Sequence, residues 1–209
     1  MVDSVVSVIE TVMGTTWIYP LMGALIFFDC FFPVLPSEVP LNLVGTWYGV
    51  QGFPDLRTMF IIAVVAAVTG DNLCYLLSTR LIHFVNRAQP GTSTFRALGW
   101  VRRNMKRNAG AAIVIARFIP SARLIMTVLL GAMRYPWPLF FFFDTVGVTI
   151  WAFQSLAIGW LGGTLFGGNP AVAIAVSILA AVALGYGLQR GINAFLNWRD
   201  VRRGFAATP

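Results

Sequence analysis

The sequence predicts an all-α integral membrane protein built from two oppositely oriented re-entrant helical hairpins, about three full transmembrane helices and flanking interfacial amphipathic helices. Three observations predict it. Of 209 residues 57% are hydrophobic and only 11% charged, with a mean hydropathy of +0.75, more apolar surface than a soluble domain of this size can hide. Two apolar stretches are interrupted by prolines and ionised side chains. The formal charge of +7 comes mostly from two arginine-rich segments, which report topology and contact with anionic lipid rather than nucleic-acid binding.

The first segment, residues 1–16, sets Val2, Val5, Val6, Ile9, Val12 and Met13 on one helical face against Asp3, Ser4, Ser7 and Glu10 on another, an amphipathic helix for the membrane interface. It has neither the basic start nor the continuous apolar core of a signal peptide. Residues 17–50 are apolar but broken by Pro20, Pro33, Pro36 and Pro40. Two spans need roughly 40 residues plus a turn, so this stretch is read as a hairpin that enters and leaves on one side. Non-helical backbone at that depth must be buried in protein or line a polar cavity.

Residues 56–80 make the first complete span, interrupted at Gly70-Asp71. The basic stretch 81–108 follows, with Arg87, Arg96, Arg102, Arg103, Lys106, Arg107 and the single histidine, His83. By the positive-inside rule it is cytoplasmic, and Phe95, Leu98, Val101 and Met105 at helical spacing suit a surface helix on anionic headgroups. Two further spans, 137–161 and 170–188, are separated by a glycine-rich turn around Gly162, Gly163, Gly167 and Gly168. The tail, 189–209, carries Arg190, Arg199, Arg202 and Arg203 and belongs in the cytoplasm as well. Parity then requires 109–132 to enter and leave on that side, as a second re-entrant hairpin bending near Pro120.

Hairpin followed by span, twice and in opposite senses, is the inverted-repeat plan of secondary transporters, whose sites lie near the membrane midplane. Leu35-Pro36-Ser37-Glu38 and Ile119-Pro120-Ser121-Ala122-Arg123 occupy equivalent places, with Pro33, Pro36 and Pro120 as the helix breaks. Ser37 and Ser121 are suited to cap the helices that follow, and two helix starts facing one cavity can hold phosphate.

Asp29, Glu38, Asp71, Arg117, Arg123 and Asp144 all fall in apolar sequence, at about 2.5–3.5 kcal/mol each at the centre of an isolated helix. They must face one another, water or a charged substrate. Arg117 and Arg123 are the candidates for gripping a phosphate headgroup with bidentate guanidinium bonds, assisted by Ser37 and Ser121. Asp29, Glu38 and Asp71 are the candidates for carrying a proton. For Asp144 two readings stand side by side, a site residue and a simple partner of a loop arginine. Cys30 and Cys74 lack metal or redox spacing and are read as buried free thiols; no cofactor and no metal is expected.

Asp29 to Pro33 with Pro36, Ser37 and Glu38, then Gly70-Asp71 with Tyr75 and Arg80, then Arg117-Phe118-Ile119-Pro120 with Arg123, then Gly131-Ala132-Met133-Arg134 with Phe140, together resemble the DedA family of VTT-domain proteins over residues 20–165. The resemblance implies a multi-pass protein of the bacterial cytoplasmic membrane that returns undecaprenyl phosphate or a related polyprenyl phosphate across the bilayer, with proton-motive-force dependence. It also implies functional importance for the acidic and arginine positions. Asp29 stands where the family often carries glutamate, and Ser78-Thr79 replace a small glycine step.

Two other classes compete with a lipid-phosphate flippase: a proton-coupled ion transporter using the same carboxylates, and a membrane phosphatase. Against the phosphatase stands the lack of a histidine within the spans. The run Phe140 to Phe143 with Trp137 is read as an interfacial aromatic belt, and Gly159, Gly162 and Gly163 as sites of helix contact or of the turn.

Overall fold

The computed structural model describes residues 13–32, 37–80, 110, 112–117 and 122–166. Residues 1–12 of the first amphipathic segment, the basic stretch, the span expected at 170–188 and the arginine-rich tail lie outside them, as do Pro33, Pro36, Pro120, Ser121 and His83. Among the described residues the regular structure is helical: α1 (Ile18–Asp29), α2 (Glu38–Gln51), α3 (Leu56–Thr79), α4 (Ala122–Ala132) and α5 (Trp137–Phe166). Residues 112–116 add one further helical turn or so before Arg117.

Only α3 and α5 are long and apolar enough to cross a bilayer. At 1.5 Å per residue their 24 and 30 residues extend about 36 and 45 Å against a hydrocarbon core of about 30 Å. With 12 and 11 residues, α1 and α4 reach roughly 18 Å, little more than half the core.

The principal contacts pair α1 with α3, α2 with α5, α4 with α3, and α3 with α5. On α3 one stripe is buried: Met59, Ala63, Ala67, Gly70, Asp71, Cys74, Tyr75 and Ser78. The steps of three and four residues put them on one helical face, and their small size lets neighbours come close. Leucine, isoleucine and phenylalanine on the other faces, such as Ile61, Leu76, Ile150 and Phe153, are exposed, which is the surface a helix offers to lipid tails.

Glycines set the closest approaches. A Cβ on Gly45 of α2 would stand 2.5 Å from the Leu156 carbonyl oxygen, and one on Gly49 would stand 2.7 Å from that of Trp160. From the other side, Gly159 and Gly163 of α5 leave no room beside the carbonyls of Asn42 and Thr46. Glycines four apart on both helices thus bring α2 and α5 backbone to backbone. This accounts for a difference from the sequence reading. The helix α5 runs through Gly162 and Gly163 to Phe166, where the glycines suggested a turn; they are helical because the neighbouring backbone fills the space a side chain would take.

The aromatic belt also divides. Phe141, Phe142 and Trp137 are exposed, but Phe140 is fully buried and stacks on Tyr75 with ring centroids 4.6 Å apart. The Tyr75 hydroxyl donates to the Tyr135 carbonyl, tying the C-terminal end of α3 to the turn between α4 and α5.

Candidate functional site

Five of the six charges expected within apolar sequence converge in two adjoining clusters. In the first, Asp29 closes α1 and is buried. Arg123, in the first turn of α4, directs Nη2 to the Asp29 carboxylate Oδ2 at 3.0 Å and to its main-chain carbonyl at 2.9 Å. Ser37 donates its hydroxyl to the same Oδ2 at 2.7 Å. Glu38, next in the chain, is exposed and lies within electrostatic range of Arg123, Asp29 and Arg117.

The second cluster joins three elements. Arg117 directs Nη1 to Asp71 Oδ2 on α3 at 2.6 Å and to Asp144 Oδ1 on α5 at 3.2 Å. The face of the guanidinium lies over the Trp151 ring, 5.3 Å from its centroid, a cation–π contact that desolvation strengthens. All three ion-pair side chains are at most 4% exposed. Cys30, directly after Asp29, points its thiol at the carbonyls of Ile26 and of Ala67 on α3, 3.4 and 3.7 Å away, and lies within electrostatic range of Asp71.

The local sequence explains this convergence. Gly70 lets α1 cross α3 beside Asp71: a Cβ there would lie 2.7 Å from Cys30 Sγ and 3.0 Å from the Phe27 carbonyl oxygen. On α5, Gly147 lies near Asp144 against the segment that ends at Arg117, where a Cβ would make ordinary contact, 3.4 Å from Val114 Cα and 3.6 Å from Arg117 Cδ. On α4, Gly131 meets the backbone of Tyr75.

The arrangement corrects one expectation and bears on another. Ser37 stands at the N-cap of α2 but makes no side-chain capping bond; its hydroxyl goes to Asp29 instead, because a bond to a buried carboxylate is stronger than one to a neutral amide. Asp144, for which two readings stood side by side, shares Arg117 with Asp71; the basic loop lies outside the described residues. Each arginine is bonded to acid side chains of other elements. Trp151 carried no signal in the sequence beyond its place on α5, about two turns after Asp144. Cys30 and Cys74 are buried free thiols as read.

The charges do not balance. Three buried carboxylates, Asp29, Asp71 and Asp144, face two guanidiniums, Arg117 and Arg123. Within a membrane this excess among the described residues must be met by a proton, a cation, water or a basic side chain from elsewhere in the chain. The arginines also differ in access: the Arg123 side chain is 15% exposed and that of Arg117 3%.

Residues 35–161 match the family model described as VTT domain. The chain is 30% identical over 151 residues to a Staphylococcus aureus protein named undecaprenyl phosphate transporter A, spanning 68% of this chain and 72% of that one. It is 22% identical over 155 residues to protein DedA of Escherichia coli K12, spanning 71% and 70%. A Lactococcus lactis protein named alkaline phosphatase-like is 32% identical over 149 residues, spanning 65% and 66%. No solved structure matches.

Proposed function

We propose that this chain, which belongs to the VTT-domain family and is a DedA-type membrane protein, carries a lipid phosphate across the bacterial cytoplasmic membrane. The leading substrate is undecaprenyl phosphate or a related polyprenyl phosphate, returned to the cytoplasmic face, with a proton as coupling ion. The printed name of the Staphylococcus aureus relative supports the substrate class. The observation that carries the reading is the pair Arg123–Asp29, a partly open guanidinium held by a carboxylate inside otherwise apolar structure.

In this reading Arg123 meets the headgroup first, because it is the more accessible arginine, and Ser37 stands beside it. Arg117 and Ser121 complete the anion side; Asp29, Glu38 and Asp71 make the acidic side. The isoprenoid chain stays among the lipids against the exposed apolar faces of α3 and α5. The excess of one buried carboxylate supports proton coupling, since protonation removes an otherwise uncompensated charge.

The packing supports two opposed hairpins. Residues 17–50 place their first limb, α1, on α3 and their second, α2, on α5. The segment ending at Arg117 approaches α5 at Gly147, while α4 packs on α3. Each hairpin thus lays its first limb on the span that follows it and its second on the other, the exchange expected of an inverted repeat. The basic stretch and tail, on the cytoplasmic side, attract anionic lipids.

The test is reconstitution into liposomes containing a polyprenyl phosphate and a control phospholipid, with and without a pH gradient. Wild-type protein moves the polyprenyl phosphate and Arg123→Ala does not. Equal movement by both sinks the headgroup assignment. Proton-driven ion flux without lipid movement establishes instead the ion transporter that the carboxylate excess also fits, and release of inorganic phosphate establishes a phosphatase.

A further inference from the structure

We infer that Asp144 is the displaceable acid of the Arg117 site: it takes a proton and loosens its hold on the guanidinium when a phosphate ester arrives at the open edge of the same guanidinium. This rests on the lipid-phosphate reading above and names the residue at which proton and headgroup exchange.

One guanidinium nitrogen, Nη1, serves both carboxylates, and the two bonds are unequal, 2.6 Å to Asp71 and 3.2 Å to Asp144. The second oxygen of Asp144, Oδ2, is moreover buried with no hydrogen-bond partner among the described residues. Asp144 is therefore the looser of the two acids. On Arg117, Nε and Nη2 are likewise buried and unpartnered among the described residues. These two N–H groups lie along one edge of the fork, the edge that receives two oxygens of a phosphate or carboxylate side by side. Trp151 covers the guanidinium face and holds the plane of that edge.

A phosphate monoanion at this edge puts three anions around one cation, and like charges in a desolvated site cannot all remain ionised. The charged or titratable groups around Asp144 are Asp71 on α3, Arg117 ahead of α4 and, farther off, Arg123 on α4. Cys30 and Cys74 face Asp71 in turn. Neither arginine can give up its charge, and Asp71 holds the shorter bond. The proton comes from water and goes to the Asp144 carboxylate. The Arg117 cluster then carries one net negative charge before the exchange and one after, so the headgroup enters without adding charge to the membrane interior.

The experiment measures binding of farnesyl phosphate to the full chain in detergent micelles from about pH 5 to about pH 9, for wild type, Asp144→Asn and Asp144→Glu. One coupled proton makes the wild-type Kd rise about tenfold per pH unit where Asp144 loses its proton. Asp144→Asn is expected to lose that slope, keeping only the titration of the phosphate ester common to both, and Asp144→Glu to restore it. Parallel profiles for wild type and Asp144→Asn overturn the assignment, as does loss of binding in Asp144→Asn at every pH. If the asparagine variant does not fold, wild type alone decides with methyl farnesyl phosphate, a diester of fixed charge: about one proton taken up per molecule bound is expected, and none overturns the proposal. Wild-type binding without pH dependence removes the role of Asp144 and leaves the lipid-phosphate reading standing, whereas no wild-type binding at any pH removes both.

Discussion

Arg123 and Asp29, 94 residues apart in the chain, are joined twice through a single nitrogen: Nη2 of the arginine donates to both the carboxylate and the main-chain carbonyl of the aspartate. The carbonyl belongs to the last turn of α1, where helical oxygens have no partner of their own. Arg123 therefore both neutralises a side chain and closes a helix.

That double duty predicts the outcome of Arg123→Lys. A lysine keeps the charge but has no planar fork to offer the headgroup. Polyprenyl phosphate movement in liposomes is expected to fall at least about tenfold, equivalent to about 1.4 kcal/mol, while the yield of folded protein stays near that of wild type. Unchanged transport rules out bidentate recognition at this position.

Arg117→Ala is expected to behave differently, as a folding defect. It strands Asp71 and Asp144 in a site from which water is almost excluded, and breaking a buried ion pair from one side costs about 3–5 kcal/mol. The melting temperature in detergent should drop sharply, and Asp71→Asn combined with Asp144→Asn in the same chain should restore much of it. A wild-type melting temperature for Arg117→Ala alone contradicts the buried triad.

The α2–α5 seam is tested at Gly159. With the Asn42 carbonyl already occupying the place of a Cβ, Gly159→Ala must push two helices apart, at about 1–3 kcal/mol for an overpacked contact. Gly52→Ala is the contrast. It has open space around it but a left-handed φ of 73°, so its cost of about 1 kcal/mol is conformational. Thermal unfolding of both variants, with lipid held constant, separates crowding from backbone strain.

Asp55 gives a pH-dependent prediction outside the membrane. Its carboxylate accepts from the Thr58 hydroxyl and backbone N–H at the start of α3, and these bonds hold its pKa below the usual carboxylate value. Because the folded pKa is lowered, the cap contributes above the usual carboxylate range and is lost as pH falls through the lowered value. Asp55→Asn should narrow its stability gap to wild type as the solution is acidified; a gap that widens with acid would contradict the cap.

Much of the site was readable from Asp29, Asp71, Arg117 and Arg123, because an ionised residue in apolar sequence is costly enough to demand a partner. Composition likewise dictated a helical membrane protein. The pairing was not readable: Asp71 could meet either arginine, and only the crossings at Gly70 and Gly147 decide which backbone comes near which acid. Ser37 misled because a serine after a proline has the same local signature whether it caps its own helix or bonds a distant carboxylate. Asp144 was ambiguous since its depth depends on where α5 starts, and Trp151 was silent because a tryptophan in a span has many uses besides covering a cation.

The two limbs of the first hairpin rest on different spans, α1 on α3 and α2 on α5. Mechanically the hairpin is a strut between two pillars, with the Asp29–Ser37 contact of 2.7 Å across its open corner. A sliding of α3 along α5 would reach that corner as a change in gap at the Asp29–Ser37 bond. With the headgroup seated there as proposed, that bond would act as a strain gauge, and rocking the spans and opening the site would be the same movement.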